Sequence, residues 1–238
     1  MWDGAARPRV RRALDRLEKA FGRPSPGRRL PPLDELVLTV LSQHTSDVNR
    51  DRAYASLRRR FPRWEQVLHA STPEVEEAIR CGGLARTKSR VIRAILQSVV
   101  RERGSLDLSF LKRLPVGEAK AWLRGLKGVG EKTACCVLLF ACGRPAFPVD
   151  THIHRVAGRL GWLKPKATPA DAHEALAALI PEERTYVSHI NLIRLGRRIC
   201  RARAPACPAC PLRSDCRFAS GRRDRFRADG LRARSTLY

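Results

Sequence analysis

The stretch LKGVGEKTACCVL, residues 126–138, decides the fold of this chain. Two glycines flank Val129, and an apolar run follows Lys132. Glycine tolerates positive φ and lets a ligand approach the backbone closely. A short helix, a tight turn and a second helix form a helix-hairpin-helix, whose turn N–H groups and second helix N-terminus face an anion. The stretch alone predicts a phosphate-binding module and leaves open whether Lys132 has a chemical role.

Helical periodicity continues on both sides of this motif. Val10, Leu14 and Leu17 recur at intervals of three or four residues, which predicts a first helix ending near Gly22. The segment that begins at Leu33 is apolar nearly all round, as in a helix buried in a core. No stretch alternates in the manner of a strand, so we expect an all-α fold of about ten or more helices.

Capping residues mark two further helix starts. Thr45 or Ser46 is expected to cap the helix that follows TSD. Thr72 is expected to cap the next one, with Pro73 at its first helical position.

The charge balance favours a polyanionic partner. The 238 residues include 47 Lys and Arg against 23 Asp and Glu, a formal net charge of +24. A field of this sign raises the local concentration of nucleic acid. An arginine-rich proteome with solvated charged faces explains part of the bias, but we do not expect it to explain all of it.

The sequence shows neither a signal peptide nor a membrane-spanning segment. The first residues, MWDGAARPRVRR, are polar and arginine-rich, unlike a signal peptide. The longest uncharged apolar run, TACCVLLFACG, is shorter than the roughly 18 residues of a membrane span. We expect a cytosolic protein, associated with the nucleoid if the source is bacterial.

Four of the eight cysteines form a compact set with the spacing C-x6-C-x2-C-x5-C: Cys200, Cys207, Cys210 and Cys216. Four thiolates this close suit a tetrahedral zinc ion or an iron–sulfur cluster. Only one short spacing is present, and the six-residue first gap favours the cluster. The other four, Cys81, Cys135, Cys136 and Cys142, are interpreted as core residues.

Asp150 lies 18 residues after Lys132, at the start of the segment DTHIHRV. One interpretation makes it the N-cap of a helix whose apolar face includes Ile153 and Val156. The other makes it a functional carboxylate. Both are compatible, because a capping carboxylate is rigidly held.

Together these features resemble the endonuclease III branch of the helix-hairpin-helix (HhH-GPD) DNA glycosylases. The likeness runs from about residue 33 to residue 216, through LSQHTSDVN, GGLARTKSRVI, LKGVGEKTACCVL, VDTHIHR and the four-cysteine loop. The resemblance implies that Lys132 attacks C1′ of a flipped, damaged nucleotide. It implies that Asp150 shuttles protons and stabilises the developing positive charge. A Schiff base followed by β-elimination would then cut the strand 3′ to the abasic site.

The resemblance also implies ligands and contacts. The four cysteines would hold a 4Fe-4S cluster, and the partner would be double-stranded DNA containing damaged bases or abasic sites, bound by a monomer. His44 stands where the family often has an amide that fills the hole left by the flipped base. The implied DNA-binding residues are His44, Leu84, Gly128, Val129, Gly130, Arg201 and Arg203.

The domain organisation implied is a six-helix domain, residues 33–142, and a discontinuous cluster domain, residues 1–32 and 143–220. The DNA cleft would lie between the two domains, and residues 221–238 would form a basic tail. We expect excision of oxidised pyrimidines. Two alternatives stay open: a glycosylase of the same superfamily with altered substrate choice, such as mismatches or mainly abasic sites, and a non-catalytic DNA-binding protein.

Overall fold

The computed structural model describes residues 6–221, and all regular secondary structure in that range is helical, with no strand, as expected from the sequence. None of its helices has the length and hydropathy to cross a membrane. The predicted basic tail lies outside the described residues except for Gly221. The helices are α1 (Ala6–Phe21), α2 (Pro32–Leu41), α3 (Asp47–Arg60), α4 (Trp64–His69), α5 (Thr72–Ala78), α6 (Ala85–Arg103), α7 (Val116–Gly125), α8 (Glu131–Cys136), α9 (Thr151–Leu160), α10 (Pro169–Leu179) and α11 (Thr185–Arg198).

Shorter helical turns complete the described chain. A π-helical turn, Val137–Ala141, continues α8 without a break. The 3₁₀ turns are Arg80–Gly82, Ser109–Lys112, Glu182–Arg184, Cys207–Ala209 and Arg213–Asp215.

The chain divides into two compact units. The first, Ser25–Pro148, is called the hairpin unit because it contains residues 126–130. The second joins the chain up to Pro24 to the chain from Val149 onward and is called the cysteine unit. The boundaries drawn from the sequence, at residues 33 and 142, stay predictions.

The hairpin unit is organised around α2. Leu36, Val37 and Val40 are fully buried there, and α2 packs against α3, α6, α8 and the π-helical turn. Burying a side chain of this size contributes about 1.5–3 kcal/mol. The central helix therefore fixes the position of α8, which carries Lys132.

In the cysteine unit, α11 packs against α9 and α1. The Arg184 guanidinium donates to the carboxylates of Asp15 and Glu18, and the Asn191 amide donates to the Gly22 carbonyl. These long-range bonds anchor α1, so residues from the beginning of the chain stabilise the unit that carries the four cysteines.

One of the predicted caps lies elsewhere. Ser46 caps α3 by accepting from the Asn49 N–H, which confirms one of the two predicted caps, Thr45 or Ser46. The cap of α5, however, is Ser71 and not Thr72. Glu74 stands three residues after Ser71 and accepts from the Ser71 N–H, so a reciprocal capping box forms one residue earlier.

Candidate functional site

The hairpin turn joins α7 to α8, and its two glycines are required for different reasons. Gly128 has φ +88°, and a Cβ there would lie 2.7 Å from Cγ1 of Val91. Gly130 has φ −91°, and a Cβ there would meet no atom within 4 Å in the described chain. Internal packing therefore requires Gly128, whereas the space in front of Gly130 is open to an approaching ligand.

Val129, between them, anchors the turn. Its side chain is only 6% exposed, and its N–H donates to the Leu126 carbonyl at 3.0 Å. This N–H is thus engaged within the protein. Among the turn N–H groups expected to face an anion, this one bonds within the protein and holds the turn in place.

The N-terminus of α8 is open. Among the described residues, no side chain caps it at Gly130. The first N–H groups of a helix have no partner within the helix and carry its positive end. The Glu131 carboxylate pairs with Lys120 at 2.7 Å and Arg124 at 3.3 Å, both on α7. Because that charge is compensated, the helix end remains suited to an anion.

Lys132 is the second residue of α8 and is half-buried. It lies near Glu35 of α2, a carboxyl that the sequence analysis did not identify. Burial raises the pKa of Glu35 to about 7, while a hydrogen bond from Thr39 at 3.2 Å and the charges of Arg50 and Lys132 oppose the rise. The signal in the sequence is an acidic residue within the otherwise apolar run LDELVLTVL.

His44 and Leu84 share an uncommon backbone conformation on the surface of the hairpin unit. His44 has φ +50° and lies in the loop between α2 and α3, and Leu84 has φ +49° and precedes α6. Both side chains are exposed, Leu84 by 57%. A large apolar side chain held in solvent by a strained backbone is unusual for packing and suits insertion into a stack of bases.

Asp150 is the N-cap of α9. Its Oδ1 accepts from the Ile153 N–H at 2.8 Å, which confirms the capping interpretation. Its second carboxylate oxygen has no hydrogen-bond partner among the described residues. One bond fixes the group while the other oxygen remains available.

The four cysteines of the C-x6-C-x2-C-x5-C set line one small pocket in the cysteine unit. The pocket is also lined by Arg159 and Phe218. Burial raises the pKa of Cys210 and of Cys216, and the neighbouring thiols raise both further. Four thiols facing one space would become thiolates only with a bound cation to compensate their charge, as in a metal site.

The surroundings of these sulfurs fit an iron–sulfur cluster. Backbone N–H groups donate to them, from Leu212 to Cys210 and from Phe218 and Ala219 to Cys216, a pattern that stabilises metal-bound thiolates.

The remaining cysteines separate by environment. Cys135 and Cys136 are buried and Cys142 is half-buried, as expected for core residues. Cys81 is exposed, so its interpretation as a core residue is wrong. It lies in the 3₁₀ turn Arg80–Gly82, where Gly82 and not Cys81 faces inward.

Arg201 and Arg203 lie in the loop after Cys200 and are exposed. Arg201 donates to the Ala204 carbonyl at 3.3 Å. The two predicted phosphate contacts therefore project from the cysteine unit into solvent.

The structure distributes the predicted site residues between the two units. The hairpin unit holds His44, Leu84, Gly128, Val129, Gly130 and Lys132. The cysteine unit holds Asp150, Arg201, Arg203 and the four cysteines.

Comparison with known proteins places DNA repair glycosylases among the relatives of this chain. Residues 37–182 match the HhH-GPD superfamily of base excision DNA repair proteins. The chain is 43% identical over 165 residues to a provisionally named DNA glycosylase of Arabidopsis thaliana, covering 69% of this chain and 56% of that relative. It is 35% identical over 187 residues to endonuclease III of Thermotoga maritima, covering 79% of this chain and 83% of that protein.

Among solved structures, the chain is similar to a trapped covalent intermediate of endonuclease III with DNA. The two share 30% sequence identity with a TM-score of 0.77, and the likeness covers 91% of this chain and 98% of that one.

Proposed function

This chain belongs to the HhH-GPD superfamily of base excision DNA repair proteins, and we propose that it is a bifunctional DNA glycosylase and abasic-site lyase. The observation that carries the proposal is the position of Lys132. It is half-buried in the first turn of α8, directly after a glycine hairpin whose helix end is open to a phosphate. An amine held beside the bound DNA backbone is placed to attack the sugar.

In the proposed reaction, the neutral Lys132 amine attacks C1′ of an extruded nucleotide. The C1′–N bond to the base breaks, and the base leaves with a proton. The sugar ring opens to a Schiff base between C1′ and Nζ. Removal of a proton from C2′ then expels the 3′ phosphate by β-elimination, and hydrolysis of the Schiff base releases Lys132.

Asp150 is proposed to assist this chemistry. Its bond to the Ile153 N–H fixes the carboxylate, and its other oxygen is available to a proton or to a developing positive charge. A carboxylate stabilises the oxocarbenium character of the sugar electrostatically. It would also carry protons between the leaving base and water.

Extrusion of the base is proposed to depend on the two exposed residues of the hairpin unit. Leu84 would enter the stack and His44 would fill the space left by the base. Gly128 and Gly130, with Val129 anchoring the turn, would hold a phosphate, and Arg201 and Arg203 would add phosphate contacts from the cysteine unit.

The substrates we propose are oxidised pyrimidines and abasic sites in duplex DNA. The T. maritima relative is named an endonuclease III, which supports this class. The imidazole of His44 differs from the usual amide of the family, so a mismatch preference or a mainly lyase activity is the alternative substrate choice.

We further propose that Cys200, Cys207, Cys210 and Cys216 hold a 4Fe-4S cluster. When bound, such a cluster supplies a covalent cross-link for the loop that carries Arg201 and Arg203. The four thiols, their backbone N–H donors and the shared pocket support this assignment.

Borohydride trapping tests the lyase directly. Duplexes with an abasic site, thymine glycol or a mismatched thymine are incubated with the protein and reduced. We expect a covalent adduct that disappears in Lys132→Ala and persists in Lys127→Ala, a matched exposed lysine of the same hairpin. Binding without an adduct on every substrate would support the non-catalytic alternative. The order of rates among the three duplexes decides the substrate class.

Iron and sulfide analysis of the purified protein tests the cluster. We expect both elements in the wild type and in Cys81→Ser, whose exposed thiol lies outside the set, and their loss in Cys216→Ser. Stoichiometric zinc without sulfide would contradict the assignment.

A further inference from the structure

Lys88, in the first turn of α6, is buried, with 3% of its surface exposed. Its Nζ donates to the Leu41 carbonyl at 2.8 Å and to the Gly82 carbonyl at 2.9 Å. Burying an amine is costly unless its N–H groups are bonded. Burial also lowers the pKa of this lysine below its ordinary value. The two bonds therefore explain how the side chain is tolerated at this position.

The two carbonyls belong to segments that are distant in the sequence. Leu41 ends α2, and His44 follows three residues later. Gly82 ends the 3₁₀ turn Arg80–Gly82, and Leu84 follows two residues later. The last carbonyls of a helix lack partners within it, so the Lys88 amine meets an available acceptor in each segment.

The residues beyond these carbonyls are strained. Of the four non-glycine residues with positive φ in the described chain, two are His44 and Leu84. Such conformations cost about 1–3 kcal/mol and persist only where the surroundings impose them. Lys88 supplies one bond three residues before His44 and one bond two residues before Leu84.

The turn before Leu84 is also held from its other side. A Cβ at Gly82 would lie 2.8 Å from the Cβ of Ala53 on α3. Gly82 is thus packed tightly against α3 while its carbonyl is bonded to Lys88. The segment has little freedom to shift, which is the property expected of a support for an inserted side chain.

We propose that Lys88 is a positioning residue that sets the distance between the segment bearing His44 and the segment bearing Leu84 during base extrusion. This inference rests on the proposed function. Lys88 would act through backbone carbonyls and touch no reacting atom. A displacement of about 1 Å at a positioning group can lower a rate by roughly 100-fold, so loss of the two Lys88 hydrogen bonds would be measurable.

The test compares two substrates. Lys88→Met retains length but removes both donors. We expect single-turnover excision from a thymine glycol duplex to fall about 10- to 100-fold. Fluorescence of 2-aminopurine beside the lesion, which reports extrusion, should fall in parallel. Borohydride trapping on single-stranded abasic DNA, where no base leaves a duplex, should be unchanged because Lys132 is undisturbed.

Two variants control the result. Ser89→Ala alters the neighbouring buried residue, whose hydroxyl donates only within its own helix turn to the Arg86 carbonyl at 3.0 Å, and should leave both assays unchanged. Gly82→Ala displaces the 3₁₀ turn Arg80–Gly82 without removing the lysine. It should lower excision from the duplex and leave trapping on single-stranded abasic DNA unchanged. Should Lys88→Met fail to fold, Gly82→Ala still provides the comparison.

A double-mutant cycle distinguishes positioning from a general structural role. If Lys88 acts through Leu84, the losses from Lys88→Met and Leu84→Ala will not multiply. Equal losses on duplex and single-stranded DNA, or none on either, would overturn the positioning role. A wild-type protein that neither excises nor traps would instead contradict the proposed function.

Discussion

Lys132 lies close enough to Glu35 that its positive charge opposes the rise in the pKa of that half-buried carboxyl. Burial nevertheless dominates and brings the pKa of Glu35 to about 7. The proposed nucleophile therefore shares the hairpin unit with a group that changes charge in the neutral range.

Glu35→Gln should change stability in a pH-dependent way. The pKa of Glu35 is raised from 4.5 to about 7, so the folded state binds this proton more tightly than the unfolded state does. Its stabilising contribution is full below about pH 4.5 and is lost as the pH rises through 7. Relative to the wild type, the variant should gain on the order of 2 kcal/mol by about pH 8.5.

Urea unfolding across this pH range measures the gain. Glu102→Gln, at an exposed position on α6, is the matched control and should show no such trend. A difference between Glu35→Gln and wild type that stays constant with pH would contradict the prediction.

The two hairpin glycines should respond differently to alanine. Gly128→Ala forces a side chain into a left-handed backbone and against Val91, so it should destabilise the protein by about 1–3 kcal/mol. Gly130→Ala should change stability by less than about 0.5 kcal/mol, because no atom within the described chain opposes its Cβ. It should weaken DNA binding, because the methyl group occupies the space proposed for a phosphate. Denaturant unfolding and fluorescence anisotropy separate the effects; full affinity in Gly130→Ala would argue against phosphate contact there.

Leu84→Ala should lower excision from duplex DNA without lowering stability, because the side chain is 57% exposed. Val48→Ala removes a side chain that is 67% exposed and has no proposed role in extrusion, so it is the matched control. We expect a loss of at least about 10-fold for Leu84→Ala alone, measured by single-turnover kinetics. Equal rates for the two variants would exclude Leu84 as the inserted residue.

Arg203→Ala and Arg201→Ala should each weaken DNA binding and reduce the slope of log affinity against log salt by about 1. Titrations at several salt concentrations measure that slope. Arg101→Ala, an exposed arginine near the end of α6, should leave it unchanged. An unaltered slope in Arg203→Ala would place this guanidinium away from the phosphates.

Local features were predictable because they depend on short-range spacing. The glycine hairpin, the cap at Asp150 and the four-cysteine set follow from residues within a few turns of one another. The cap of α5 was misassigned because Ser71 and Thr72 both have the required hydroxyl. Only the position of Glu74, three residues after Ser71, distinguishes them.

The sequence by itself determined the helical class, the hairpin and the thiol set, because periodicity and spacing specify them without knowledge of distant contacts. Only the tertiary structure decided the surroundings of Glu35 and the two bonds of Lys88, since α2, α6 and α8 must pack before either side chain meets its neighbours. It likewise decided that Val129 anchors the turn and that Cys81 faces solvent. Burial depends on the neighbours that folding brings together, and that information is absent from any local stretch of chain.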